Sequence, residues 1–243
     1  MSCPLEPVIK LATLFAEESP AQITWKDVGE NPLQISVRGR SAHGSKPQEG
    51  VNAVTWLVKF LNTLPLEDNA PGRAVRALAK KIGTETNGSG LGISRKDETG
   101  PLTLNVGYIH TLANAVQFGL DIRYPVSEAE SFITEHVKDA FPAFDLEKTS
   151  SLAAHFVAPD SDLVVGLSTA YEEVMHEKAY CISMGGATYA RAFPNSVAFG
   201  PLFPGQPATE HQPDEYIEID SLIKVADLLA AAIAQLCGHG ARG

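Results

Sequence analysis

Leu33, Ile35 and Val37 alternate with Gln34, Ser36 and Arg38. That period-two pattern predicts a strand with one buried face. Val54, Leu57, Val58, Leu61 and Leu64 then recur at three- and four-residue spacing, which predicts a helix from near Gly50 to Pro65. Upstream, Leu5, Val8, Ile9, Ala12 and Phe15 form a shorter helical stripe that stops at Ser19-Pro20. Alternation returns at Leu102, Leu104, Val106 and Tyr108 and again at Val116, Phe118, Leu120 and Ile122. The short connection Thr111–Asn114 between these runs predicts an antiparallel hairpin. Ser127 and Glu130 read as a capping box for a helix with the stripe Ile133, Val137 and Phe141. A further strand is expected at Leu152–Val157.

Strand, helix, hairpin, helix and strand in this order approach a ferredoxin-like α+β sandwich. The reading gives an N-terminal helical segment over 1–21 and a ferredoxin-like domain over 22–157. Residues 66–100, rich in turns around one basic helical piece from Arg73 to Lys81, read as an insertion within that domain. From 158 to 243 the texture changes to an α/β layer fold. Ser161 caps a helix with the stripe Val164, Leu167, Tyr171 and Val174. Strands are expected at Ala179–Ser183 and Val197–Gly200. A last helix carries Leu222, Val225, Leu229, Ile233 and Leu236 on one stripe. No internal repeat is visible.

Composition narrows the function classes. The chain of 243 residues is 44% hydrophobic and 20% charged, ordinary values for a soluble globular protein. Its formal charge of −10 argues against a nucleic-acid partner, since phosphates require clustered Lys and Arg. Cys3, Cys181 and Cys237 are odd in number and far apart, so neither a disulfide framework nor a Cys-x-x-Cys metal site is readable. Cys181 lies in an apolar run and is expected to be a small core residue. The longest apolar stretch, Leu222–Leu236, contains Lys224 and Asp227 and reads as an amphipathic helix rather than a membrane span. No leader pattern is readable, so a reducing, cytoplasmic location is expected.

Three stretches carry candidate chemistry. Ser41-Ala-His-Gly-Ser-Lys-Pro-Gln-Glu-Gly50, followed by Asn52-Ala53, sets His43 on a glycine-bounded turn at the start of a helix. Such a turn offers backbone N–H groups and a positive dipole end to an anion or oxyanion. Leu120-Asp-Ile-Arg-Tyr-Pro125 puts Arg123 on the polar face of its strand with Gln117 and Asp121. A guanidinium on a rigid strand suits bidentate recognition of a carboxylate. Gly185-Gly186-Ala-Thr-Tyr-Ala-Arg191 leads through Val197–Gly200 and Pro204-Gly205 to Glu210-His-Gln-Pro-Asp-Glu215. His110, His136, His155, His176 and His239 match no motif, and Trp25 and Trp56 make no stacking set.

In this order the three stretches resemble the M20 metallopeptidases, most closely the PepV-like (Sapep-like) dipeptidase branch. The resemblance runs from about residue 22 to 237. It implies a lid domain followed by the C-terminal part of an α/β zinc-peptidase catalytic domain. It also implies a role for each matching residue. His43 would stabilise the tetrahedral oxyanion, and Arg123 would bind the dipeptide's C-terminal carboxylate. The loop of Gly185, Gly186 and Arg191 would approach that same carboxylate, and His211 would ligate zinc. Two zinc ions are implied, with their other ligands in an N-terminal half that carries a His-x-Asp pair. No His-x-Asp occurs in this sequence, and Glu17-Glu18 reads as a solvated helix face. The chain therefore looks like a lid and C-terminal portion, expected to be inactive alone. The enlarged 66–100 segment implies a monomeric complete enzyme, with a fragment prone to self-association. Two other readings stay open: an N-acyl amino acid deacylase of the same family, and a non-catalytic ferredoxin-like interaction module.

Overall fold

The structure is a computed structural model that describes residues 5–27, 33–112, 115–207, 209 and 213–238. Its contacts divide the chain into two units, Met1–Ala154 and His155–Gly243.

In the first unit, helix α1 (Leu5–Glu18) buries Ala12 and sets Phe15 edge-on against Trp56 and Phe60, at 6.0 and 5.5 Å between ring centres. Strand β1 (Gln22–Asp27) pairs antiparallel with β2 (Leu33–Arg38), with Gln22 opposite Arg38 and Asp27 opposite Leu33. The alternation at 33–37 thus forms its strand. Its partner β1 escaped the pattern reading, although Ile23 and Trp25 carry a brief alternation of their own. Helix α2 (Ala53–Leu61) follows, capped by Asn52 and ending before Pro65. Helix α3 (Ala70–Lys81) is capped by Asn69, with Pro71 in its first turn, where the missing N–H costs nothing.

The short pair β3 (Lys96–Asp97) and β4 (Gly100–Pro101) precedes the long hairpin of β5 (Thr103–Thr111) and β6 (Val116–Arg123). The hairpin register runs from Thr103 opposite Arg123 to Thr111 opposite Val116, with a bulge between Val106 and Tyr108. Helix α4 (Glu130–Ala140) closes the unit. Its core joins Val58 of α2, Leu102, Leu104 and Val106 of the hairpin, and Ile133, Val137 and Phe141 at α4. Val75, Leu78, Ile82, Leu91 and Ile93 belong to the same core. The 66–100 segment is therefore part of the packing rather than a surface elaboration. At roughly 1.5–3 kcal/mol per buried aliphatic side chain, its removal would unfold the unit.

Three expectations are not met among the described residues. The capping box does not form: α4 begins at Glu130 with Ala129 as its cap, and no side chain caps it. Glu130 instead bonds Lys148 at 2.7 Å, while the Ser127 N–H donates to Asp97 Oδ2 at 3.0 Å. The strand at Leu152–Val157 is absent, with Leu152 68% and Phe156 46% exposed. The described strands pair two by two, as β1–β2, β3–β4 and β5–β6, without the continuous four-stranded sheet of a ferredoxin-like sandwich. An alternating run forms a strand only where a partner edge accepts its N–H and C=O groups, and among the described residues 152–157 pair with no such edge.

In the second unit, α5 (Asp162–Met175) starts as expected at Ser161, whose hydroxyl accepts the Val164 N–H. It packs on α6 (Ile219–Gly238) through Leu167, Ala170 and Ala232, with Val197 and Phe199 laid against them. The strands expected at 179–183 and 197–200 are not formed. Tyr180, Ile182 and Met184 are largely exposed, and so is Cys181, which is no core residue here. The last helix is turned relative to its expected stripe. Ser221, Leu228 and Ala232 are buried, whereas Leu222, Leu229 and Ile233 are exposed; of the expected stripe Leu236 reaches α5, against Gly166. Two apolar stripes compete on this helix; the small Ala232 allows a close approach to α5, while the Ser221 hydroxyl accepts the Gln206 Nε2–H at 2.6 Å. By length and composition α6 is also long and apolar enough to cross a membrane, despite Lys224 and Asp227.

A candidate carboxylate-binding site

The His43 loop is built from its neck upward. Arg40 and Val51 exchange backbone hydrogen bonds of 3.0 and 2.8 Å, closing residues 41–50 into a loop between β2 and α2. Gly39 makes the neck possible, because a Cβ there would lie 1.9 Å from the Val51 carbonyl oxygen. Within the loop the His43 carbonyl accepts the Lys46 N–H at 2.8 Å, and Pro47 is buried. The Arg40 guanidinium donates to the Glu49 carbonyl at 3.2 Å.

His43 itself is exposed, and its ring is oriented from one side. The Ser45 backbone N–H donates to His43 Nδ1 at 3.2 Å, and the Ser45 hydroxyl lies 2.7 Å from the same nitrogen. A backbone N–H can only donate, so Nδ1 is the acceptor. In the neutral ring the proton therefore sits on Nε2, which becomes a donor. That assignment follows from the hydrogen-bond pattern.

The helix beside the loop behaves differently from the expectation. Asn52 Oδ1 accepts from the Val54 and Thr55 N–H groups at 2.9 and 3.1 Å, so the first turn of α2 is capped by its own chain. These two donors are not offered to a ligand. Asn52 Nδ2 donates to Asn105 Oδ1 at 2.7 Å and to the Val106 carbonyl at 2.8 Å. Loop and hairpin are thereby fastened together.

On β6, Phe118, Leu120 and Ile122 pack on the core, which leaves Asp121 and Arg123 on the opposite face. The two side chains form a fork. Arg123 Nε donates to Asp121 Oδ1 at 3.3 Å and Nη2 to Oδ2 at 3.0 Å. Gly44 lies directly against them: a Cβ on Gly44 would stand 3.1 Å from Asp121 Oδ2 and 3.3 Å from Arg123 Nη2. The loop residue that follows His43 and a cation of the hairpin, far apart in sequence, therefore share one surface.

The remaining candidates lie in the second unit or outside the described residues. Gly185 and Gly186 form a bend, after which Thr188 Oγ1 accepts the Ala190 N–H at 3.3 Å and starts the single turn Tyr189–Ala192 that carries Arg191. His211 lies outside the described residues. Among the described residues no three His, Cys, Asp or Glu side chains converge as metal ligands would. Of the unassigned histidines, His155 donates from Nε2 to the Ser196 carbonyl at 2.6 Å, and His136 Nδ1 bonds the Phe132 carbonyl at 2.9 Å. Both are structural. Asp121 was not singled out from the sequence as a partner of Arg123, although their i, i+2 spacing on one strand face was visible.

Residues 32–147 match the peptidase dimerisation domain of the M20 family. The match contains His43, Asp121 and Arg123. Over 206 residues the chain is 41% identical to a Bacillus subtilis (strain 168) protein named "Putative dipeptidase YtjP", covering 84% of this chain and 44% of that protein. Over 214 residues it is 32% identical to "Putative dipeptidase SAR1836" of Staphylococcus aureus (strain MRSA252), again covering 84% of this chain and 44% of that protein. The chain thus spans less than half the length of these relatives.

Proposed function

We propose that this chain supplies the carboxylate-recognising, oxyanion-stabilising part of an M20 dipeptidase. The observation that carries the reading is the contact of Gly44 with the Asp121–Arg123 fork, which sets the His43 loop beside a strand-borne guanidinium. A dipeptide with a free C-terminus offers both groups such a site would need. Its carboxylate meets Arg123 by charge-assisted hydrogen bonds. Its scissile carbonyl becomes an oxyanion, toward which His43 Nε2–H donates. Because the carboxylate exists before reaction and the oxyanion only during it, Arg123 acts mainly on binding and His43 mainly on rate.

M20 peptidases generally act with a metal. The described residues do not make up a zinc site, since no three His, Cys, Asp or Glu side chains converge among them and zinc requires three or four protein ligands. The dimerisation domain and the exposed apolar residues of the second unit support self-association of the chain.

The test is equilibrium binding of alanyl-alanine and of its C-terminal amide to the purified chain. The free acid should bind at least tenfold tighter, on the order expected for a charge-assisted contact, and Arg123→Ala should abolish the difference. Equal binding of acid and amide by the parent chain would remove the basis for this function.

A further inference from the structure

Arg123 is a long side chain with roughly 2 kcal/mol of rotamer entropy, and a wandering guanidinium must be ordered by whatever it binds. In this structure the ordering partner is internal. Asp121 stands two residues earlier on the same face of β6 and engages Arg123 through both of its oxygens, at 3.3 Å to Nε and 3.0 Å to Nη2. A two-point contact of this kind fixes the plane of the guanidinium as well as its position. Asp121 is itself placed from below. It faces Asn105 in the β5–β6 register, and Asn105 Oδ1 is held by Asn52 at the root of the His43 loop. From above, Gly44 leaves no slack, because even a methyl group there would press on both members of the fork.

We infer that Asp121 is a positioning residue for carboxylate recognition, acting through Arg123; this rests on the role proposed for Arg123 above. The ordinary alternative is a surface ion pair. Arg123 is 33% and Asp121 43% exposed, and pairs of that kind contribute little to stability. The two readings differ in sign. As a bare charge beside the site, Asp121 repels an incoming carboxylate, so Asp121→Asn would tighten its binding. As the group that holds the guanidinium, Asp121 is needed for that binding, so the same change weakens it.

The experiment uses the full chain and alanyl-alanine as probe, with NMR of the Arg123 Nε–Hε group, assigned by its loss in Arg123→Lys. Asp121→Asn should move this signal upfield, speed its exchange with water and weaken alanyl-alanine binding by roughly tenfold or more, the scale of a lost charge-assisted contact. Asp121→Glu, one methylene longer, should restore part of both. Amide signals of β5 and β6 report whether each variant remains folded, and Asp121→Ser serves if the asparagine variant does not. Binding as tight or tighter in Asp121→Asn, or an unchanged Nε–Hε signal, overturns the inference. If Arg123→Lys binds the dipeptide as well as the parent does, the proposed role of Arg123 fails instead. The two failures are thereby distinguished.

Discussion

Asn52 and Asn105, 53 positions apart, are joined by a 2.7 Å hydrogen bond from Nδ2 to Oδ1. The same Asn52 caps α2 with its own Oδ1, so one amide serves both a helix and a hairpin.

Replacing it should therefore cost more than an ordinary cap. Losing an N-cap is worth about 1 kcal/mol, and each additional hydrogen bond about 1 kcal/mol more. Asn52→Ala is expected to destabilise the first unit by about 3 kcal/mol in urea unfolding. Asn52→Asp keeps the cap but loses both donations from Nδ2, and should fall between the parent and the alanine variant. An alanine variant within about 0.5 kcal/mol of the parent, the range of ordinary surface changes, would refute the dual role.

Gly88 sits at φ 70°, where a Cβ would stand 2.6 Å from Ile93 Cγ1 and 3.0 Å from Leu102 Cδ2. Both neighbours are fully buried. Gly88→Ala combines a left-handed backbone with overpacking, and about 3 kcal/mol of destabilisation is expected. Gly83 has a similar φ of 60° but only the Ala79 carbonyl nearby, at 3.6 Å. Gly83→Ala should cost about 1 kcal/mol, from the backbone alone. Equal losses in the two variants would show that the contact with Ile93 is not felt.

Asp97 is held down to about 2, first by the hydrogen bond from the Thr99 hydroxyl and further by Ser127, against opposing desolvation. A carboxyl lowered on folding stabilises above its unfolded value and loses that contribution as pH falls through its folded one. The window for Asp97 runs from about pH 4 down to about 2. Asp97→Asn should be less stable than the parent at neutral pH, with the gap narrowing across that window in denaturant titrations. A gap that stays constant from about pH 5 to about pH 2 would mean that the turn does not depend on the charge.

Ile219, Leu222, Ile223 and Ile233 of α6 are between 54% and 76% exposed. Apolar surface gathered on one element favours association. Sedimentation velocity should show concentration-dependent self-association, weakened by Leu222→Lys with Ile233→Lys. A sharp monomer at the highest attainable concentration would contradict this.

Dialysed chain should hold well under one equivalent of zinc by elemental analysis, since no ligand triad converges among the described residues. A stoichiometric, chelator-sensitive ion would demand a site built elsewhere in the chain.

Periodicity was informative wherever a single burial face decides the element. The hairpin of 103–123 has its core side as the alternation requires as far as Val106, after which the bulge turns Tyr108 outward and Ile109 onto the core; Ile133, Val137 and Phe141 are buried at α4 as spaced. It misled where a partner is needed. Residues 179–183 read as a strand, yet a strand is a property of a pair, and Ile182 is 78% exposed without one. On α6 both stripes are apolar, so composition could not choose between Leu222–Leu236 and Leu228–Ala232. In the candidate site, His43 and Arg123 stood out by residue type, but their proximity depends on the Arg40–Val51 neck and on Asn52, which no local pattern announces. Similarly, Asp97 read only as a turn residue, because its bond to Ser127 spans 30 positions.

The neck also has a consequence for how this protein can be altered. With Arg40 and Val51 pinned to each other, the ends of the 41–50 segment are fixed independently of what lies between them. Lengthening a closed loop carries only a slowly growing entropic penalty. The segment can therefore be exchanged as a cassette, leaving β2 and α2 in place, provided that the replacement keeps residues without side chains where Gly44 rests and at Gly50, whose Cβ would stand 2.7 Å from the Arg40 carbonyl oxygen.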